Sequence, residues 1–267
     1  MDLGLRGRKV VIAGGTRGIG RATAELFAAE GCHVAVLARN VSNLRETEAA
    51  LTEIGAPQAF GLECDLYDTG EVEAAFSFLD EQWGELHALV NAAGPAHLGT
   101  FDALTDNDWI DAFDGGVLMM VRAVRAALPL IRRASFGRIV NLAASSIRHQ
   151  SAGLVAYTSA KAALASASKN MARTLAAEGI LVNTVAPGTI MSPAMEAYLE
   201  DTDPVGLPEG PLEAAYAALE RDFGSPNDLG RVGLPEEVAA LVVFLASEPA
   251  SYLVGATIPI DGGSDFF

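Results

Sequence analysis

The stretch KVVIAGGTRGIGRATAELFAAEG, residues 9–31, decides how this chain folds. Val10–Ala13 are apolar without alternation, which predicts a strand buried on both faces of a sheet. GGTRGIG follows, with Gly14, Gly18 and Gly20 in the spacing G-x-x-x-G-x-G, and then an Ala-rich run of helical period that stops at Gly31. A turn this tight needs glycine so that backbone can approach a ligand closely. The helix that opens on it presents unpaired N–H groups to negative charge. Strand, glycine turn and helix in this order predict a site for a dinucleotide pyrophosphate, formed by Gly14, Thr16, Arg17, Gly18, Ile19 and Gly20.

The same alternation continues outward. Short apolar strands are predicted at 9–14, 33–38, 58–64, 86–90, 138–143, 180–186 and 256–260, and helices at 42–54, 68–83, 107–133, 154–178 and 235–246. Seven strands joined by crossover helices predict an α/β fold: one doubly wound seven-stranded parallel sheet flanked by helices, as a single domain over residues 1–267. One segment departs from the rhythm. From Pro193 to Gly230 the chain carries nine Asp or Glu against one Arg, Arg221, and is rich in proline. It follows a strand and precedes a helix, which places it at the carboxyl ends of the strands, so a substrate lid at about 193–230, built of one or two helices, is expected.

Composition narrows the function classes. A formal net charge of −16 argues against nucleic acid or an anionic membrane surface as partner. Half of the residues are hydrophobic, enough for a sizeable core. The two cysteines, Cys32 and Cys64, have neither metal-ligand nor disulfide-framework spacing, and read as buried thiols in a reducing compartment. No metal site is expected. No apolar run reaches membrane-spanning length and no secretion signal is legible at the start, so a cytoplasmic protein is expected.

The end of the second strand distinguishes between dinucleotides. An acid there holds the ribose 2′-hydroxyl of NAD, but this strand ends in Ala38 and Arg39. Arg17 approaches the same corner from the glycine turn. Two guanidiniums without a carboxylate suit a 2′-phosphate, so NADP(H) is preferred and NAD(H) is possible.

Together with Tyr157-x-x-x-Lys161, these motifs resemble the short-chain dehydrogenase/reductase family, a branch of the Rossmann fold, over nearly the whole chain. Asp65 and Leu66 follow the third strand, where the family contacts adenine. NAAG, Asn91–Ala92–Ala93–Gly94, resembles the family's NNAG. APGTIMS at 186–192 is similar to the segment bordering nicotinamide, which assigns Pro187, Gly188, Ile190 and Ser192 to the cofactor. RVGLPEEVA at 231–239 and GATIPIDGG at 255–263 complete the resemblance. It implies hydride transfer between nicotinamide and a carbonyl or alcohol carbon. Tyr157 and Lys161 stand at i, i+4 on one helix face, where the ammonium is expected to lower the phenol's pKa and to hold the nicotinamide ribose. The partner is then a small carbonyl or alcohol. An acidic acyl carrier protein is disfavoured by like charge, although Arg132, Arg133 and Arg138 offer a local patch. The resemblance also implies a homo-oligomer, most often a tetramer, with helices 107–133 and 154–178 and the terminal Phe266–Phe267 at subunit contacts.

The chain departs from the family in two places. The catalytic serine usually stands thirteen residues before the tyrosine, and that position is Ala144. Ser145 follows and is the first candidate replacement, with Ser146, whose strand parity is right, as the second. The family's relay asparagine is replaced by Gly116, next to Gly115. The pair predicts a kink, close packing at a subunit interface, or space for water or substrate. His149 and Gln150, in the same loop as Ser145 and Ser146, are candidate replacements for the lost orienting group, and His97, just beyond NAAG, is a candidate for the pocket wall. These losses motivate an alternative function, a cofactor-binding sensor or scaffold with weakened catalysis.

Overall fold

The sheet grows outward from β1 (Lys9–Ala13), whose Val10, Val11 and Ile12 are fully buried. In the computed structural model, which describes residues 1–148, 150–200, 208–223 and 227–264, β1 leads through the glycine turn into α1 (Gly18–Ala29). β2 (His33–Ala38), α2 (Val41–Ile54), β3 (Ala59–Glu63) and α3 (Thr69–Trp83) complete the first half. β4 (Ala88–Asn91), α4 (Asp106–Phe113), α5 (Met119–Ile131), β5 (Gly137–Leu142), α6 (Val155–Leu175) and β6 (Ile180–Pro187) begin the second. α7 (Pro193–Glu200), α8 (Pro211–Phe223), α9 (Pro235–Leu245) and β7 (Thr257–Ile260) close it. All seven expected strands are present, with ends shifted by at most two residues.

The strand order is β3-β2-β1-β4-β5-β6-β7, and every neighbouring pair is parallel. The order reverses between β1 and β4, so the loops leaving these two strands diverge and open a crevice at the carboxyl edge. Apolar side chains leave both faces. Val10, Ile12 and Val34 pack under Phe27, Leu44, Val238 and Val242 on the side of α1, α2 and α9. Val11, Leu89 and Ile139 pack under Phe76, Leu79, Met120, Val124 and Leu164 on the side of α3, α5 and α6. Burial on both faces removes the polar alternation of an open sheet, which is why the strands read as continuous apolar runs.

The helix expected over 107–133 is not continuous. Between α4 and α5, Asp114–Leu118 form a π-turn, with one extra residue per turn, and this turn contains Gly115 and Gly116. A Cβ on Gly116 would lie 2.7 Å from the Cβ of Ala160 on α6, and one on Gly115 would lie 2.7 Å from Cδ of Pro95. The glycine pair therefore serves close packing within the chain. The space expected for water or substrate is filled by protein.

Between β6 and α9 the acidic segment forms the two helices α7 and α8, and α8 buries Ala215 and Ala218. Its roots are tied together at the carboxyl edge. The Met191 N–H donates to the Gly233 carbonyl at 2.8 Å, and the Gly233 N–H donates to the Thr189 carbonyl at 2.9 Å. Residues 201–207 and 224–226 of the expected lid, His149, and the terminal pair Phe266–Phe267 lie outside the described residues. Among the described residues, no helix is long and apolar enough to cross a membrane.

Candidate active site

The crevice at the switch point consists of two adjoining cavities that share Ala92 and Gly94. The first, of ≈ 500 Å³, is bordered by Gly14, Thr16 and Arg17 of the glycine turn, Arg39 after β2, Asp65 and Leu66 after β3, and Ala93. The turn is built as its sequence demands. Gly14 has φ +86°, where a side chain is strained, and a Cβ there would lie 2.8 Å from the backbone nitrogen of Ala93. Gly20 lies beneath the turn, not on the cavity, and a Cβ on it would collide with the Gly14 carbonyl oxygen. The N-terminus of α1 has no side-chain cap and no acid in its first turn. Its N–H groups are thus left for an anion. Arg17 and Arg39, both exposed, border the same cavity, as do Asn40 and Asn43 of the α2 N-terminus and Ala38, where a carboxylate would stand. Backbone stripped of side chains, an uncapped helix end and two guanidiniums fit a dinucleotide carrying an extra phosphate.

The second cavity, of ≈ 400 Å³, adjoins the first on the side of α6. Tyr157 and Lys161 of α6 share it with Gly18 and Ile19, with Ala144, Ser145 and Ser146 after β5, and with Pro187, Gly188, Ile190 and Ser192 after β6. Lys161 is 4% exposed, and its Nζ donates to the Leu142 carbonyl at 2.9 Å. Gly94 makes room for it, since a Cβ there would come within 3.2 Å of Nζ. Burial pushes the Lys161 ammonium down to about 8 and the Tyr157 phenol up to about 12. The expected lowering of the phenol by Lys161 is thus reversed. Nζ is engaged by a carbonyl and lies 5.8 Å from the centre of the Tyr157 ring, so desolvation prevails over attraction.

Asn91 lies behind the cavities, not on their lining. It is buried, and its Nδ2 donates to Asn141 Oδ1 at 2.7 Å; Asn141 Nδ2 in turn donates to Ser168 Oγ at 2.8 Å. This buried chain of amides ties β4 and β5 to α6 two turns below Lys161. Gln150 turns to the Ile147 carbonyl and borders a separate apolar hollow, and His97 is not among the lining residues. The sequence reading missed Asn43, Tyr67, Leu154 and Met191, which line the two cavities. Asn43 carried a legible signal, its place at a helix start beside Arg39; Leu154 and Met191 carried none. Among the described residues no group of acidic, histidine or cysteine side chains could hold a metal.

This juxtaposition is that of a nucleotide-dependent oxidoreductase, and the comparisons agree. The family model described as enoyl-(acyl carrier protein) reductase matches residues 13–265, and the chain belongs to the short-chain dehydrogenase/reductase family. It is 35% identical over 253 residues to the short-chain reductase protein NovJ of Streptomyces niveus, covering 95% of this chain and 92% of that one. It is 31% identical over 261 residues, 98% of each chain, to the 3-oxoacyl-[acyl-carrier-protein] reductase FabG of Vibrio harveyi. Among solved structures, L-sorbose reductase from Gluconobacter frateurii, complexed with NADPH and L-sorbose, superposes with a TM-score of 0.90 at 30% identity, covering 99% of this chain and 98% of that one.

Proposed function

We propose that the chain is an NADP(H)-dependent reductase or dehydrogenase that interconverts a small ketone and a secondary alcohol. The observation that carries this is the single crevice joining the glycine turn, Arg17 and Arg39 to Tyr157 and Lys161. The 2′-phosphate would be held by Arg17 and Arg39 beside Ala38, and the pyrophosphate by the turn and the N-terminus of α1. NADPH in the related sorbose reductase supports the preference for NADP(H) over NAD(H). When bound, the reduced nicotinamide supplies a hydride to the carbonyl carbon.

The side chains move the proton. A phenol held near 12 is fully protonated at neutral pH, so Tyr157 enters reduction as the acid and gives its proton to the carbonyl oxygen as charge develops there. Lys161, still mostly ammonium at neutral pH, stabilises the phenolate left behind and anchors the ribose. A hydroxyl at the end of β5, from Ser145 or Ser146, orients the carbonyl in place of the serine absent at 144. The scaffold alternative rests on the groups missing at 144 and 116; Gly116 itself has a packing reason in its contact with Ala160.

The helices α7 and α8 act as the substrate lid over a catalytic unit spanning residues 1–267. The working form is a cytoplasmic homotetramer. Exposed Ile110, Phe113 and Leu118 along α4 and the π-turn support a subunit contact there, and buried free thiols suit a reducing compartment. Light scattering on the eluted protein tests the tetramer, and a stable monomer refutes it. For the chemistry, Tyr157→Phe is expected to keep NADPH affinity while ketone turnover falls by about 10²–10⁴-fold. Undiminished turnover would refute the assignment.

A further inference from the structure

We propose that the hydroxyl of Ser146, held in place by Thr158, replaces the serine missing at position 144; this rests on the carbonyl-reductase reading above. Ala144 is the last extended residue, with φ −157° and ψ 152°, and Ser145–Ile147 then coil into a 3₁₀ turn. Two-fold alternation of side chains ends at that point, and each residue of the turn rotates the next by about 120°. Both serines consequently reach the wall of the cavity that holds Tyr157 and Lys161.

They reach it differently. Ser145 is half-buried at the start of the turn, whereas Ser146 is 9% exposed and packs against Thr158, itself 7% exposed. Thr158 Oγ1 donates to Ser146 Oγ at 3.0 Å. Thr158 follows Tyr157 on α6, and its backbone N–H is fixed to the Leu154 carbonyl at 2.8 Å. The Ser146 oxygen is therefore locked to the helix that carries the proton donor and Lys161. A hydroxyl that accepts one bond still has its own O–H to give, and the accepted bond polarises it. Ser146 donates to the substrate carbonyl oxygen while Tyr157 transfers the proton; no proton leaves Ser146. Holding such a group to within about 0.5 Å is what an orienting role requires. Thr158 is not among the residues lining the active cavity and borders the separate apolar hollow, so it acts through Ser146 as a positioning residue.

Steady-state reduction of a ketone with NADPH by six variants, Tyr157→Phe among them, tests this, with thermal denaturation run alongside. Ser146→Ala is expected to lower kcat by about 10²–10³-fold, and by at least tenfold more than Ser145→Ala. Thr158→Val, which keeps the shape and removes the donor, should lower kcat by about 10–100-fold with the NADPH KM unchanged. Thr158→Ser should restore most of that loss, and Ser146→Ala with Thr158→Val together should be no slower than Ser146→Ala alone. A structure with NADP and the alcohol product should place Ser146 Oγ about 2.6–3.2 Å from the alcohol oxygen. A larger loss in Ser145→Ala than in Ser146→Ala overturns the proposal. So does equal impairment of Thr158→Val and Thr158→Ser, which would mark a packing role. If both serine variants keep full rate while Tyr157→Phe is dead, the proposal fails and the reductase reading stands. A wild-type chain that binds NADPH and reduces no ketone refutes both.

Discussion

Replacing Lys161 by methionine is expected to make the cofactor-free protein more stable and to abolish its activity. The ammonium is almost fully buried, and burial has moved it from 10.5 to about 8. That shift corresponds to about 3 kcal/mol by which folding is disfavoured at neutral pH, where both states are protonated. Methionine fills nearly the same volume without the charge. Its cost is the Leu142 carbonyl, which loses the donor now at 2.9 Å, about 1–2 kcal/mol. A net gain of about 1–2 kcal/mol at pH near 7 follows. The pH dependence fixes the cause. A group whose folded pKa lies below its unfolded one binds fewer protons when folded, so the wild type gains stability as pH rises from about 8 toward 10.5. The penalty should shrink by about 2 kcal/mol between about pH 7 and 9.5, and the advantage of the variant with it. Equilibrium urea unfolding of both proteins at these two pH values is the assay. A variant less stable than wild type at pH near 7, or a difference that does not change with pH, refutes the reasoning. On the proposed mechanism the destabilisation is a cost of function, since a dry site is where an ammonium acts most strongly on a phenolate.

Other perturbations follow from the same geometry. Arg39→Ala should weaken NADPH binding by at least about tenfold while leaving NADH nearly untouched, because the contact proposed for Arg39 is with the 2′-phosphate, which NADH lacks; isothermal titration with both cofactors reads the ratio, and equal losses refute the assignment. Gly116→Ala places a methyl 2.7 Å from that of Ala160, so a loss of about 1–3 kcal/mol from overpacking is expected in urea melts, partly offset by the helix preference of alanine. Adding Ala160→Gly moves the methyl across the contact and should recover much of the loss; strict additivity of the two changes would exclude the contact as the cause. Gly20→Ala should be more damaging, since its Cβ would meet backbone, the Gly14 carbonyl, which no rotamer change relieves.

The sequence by itself determined the sheet and the crevice, and it placed Tyr157 and Lys161 together on that crevice. Uninterrupted apolar runs such as Val10–Ala13 and Val34–Leu37 have one stable use, a strand covered on both faces, and the glycine turn has one economical reading as a phosphate cradle. These are local properties carried by consecutive residues. Asn91 and Gly20 were grouped with the cofactor on motif alone; packing places both behind the cavity, one in an amide chain and the other under a turn. The role of Gly116 required knowing that Ala160 lies opposite, a contact between residues 44 positions apart. The Tyr157 phenol is shifted up where the spacing predicts a shift down, because an i, i+4 spacing gives proximity but not how dry the surroundings are or where the ammonium points. The choice between Ser145 and Ser146 belongs to the same category. Spacing brought both to the end of β5, and only the 3₁₀ turn and the Thr158 hydroxyl on another element separate them, because side-chain direction at a strand end is set by what packs against it.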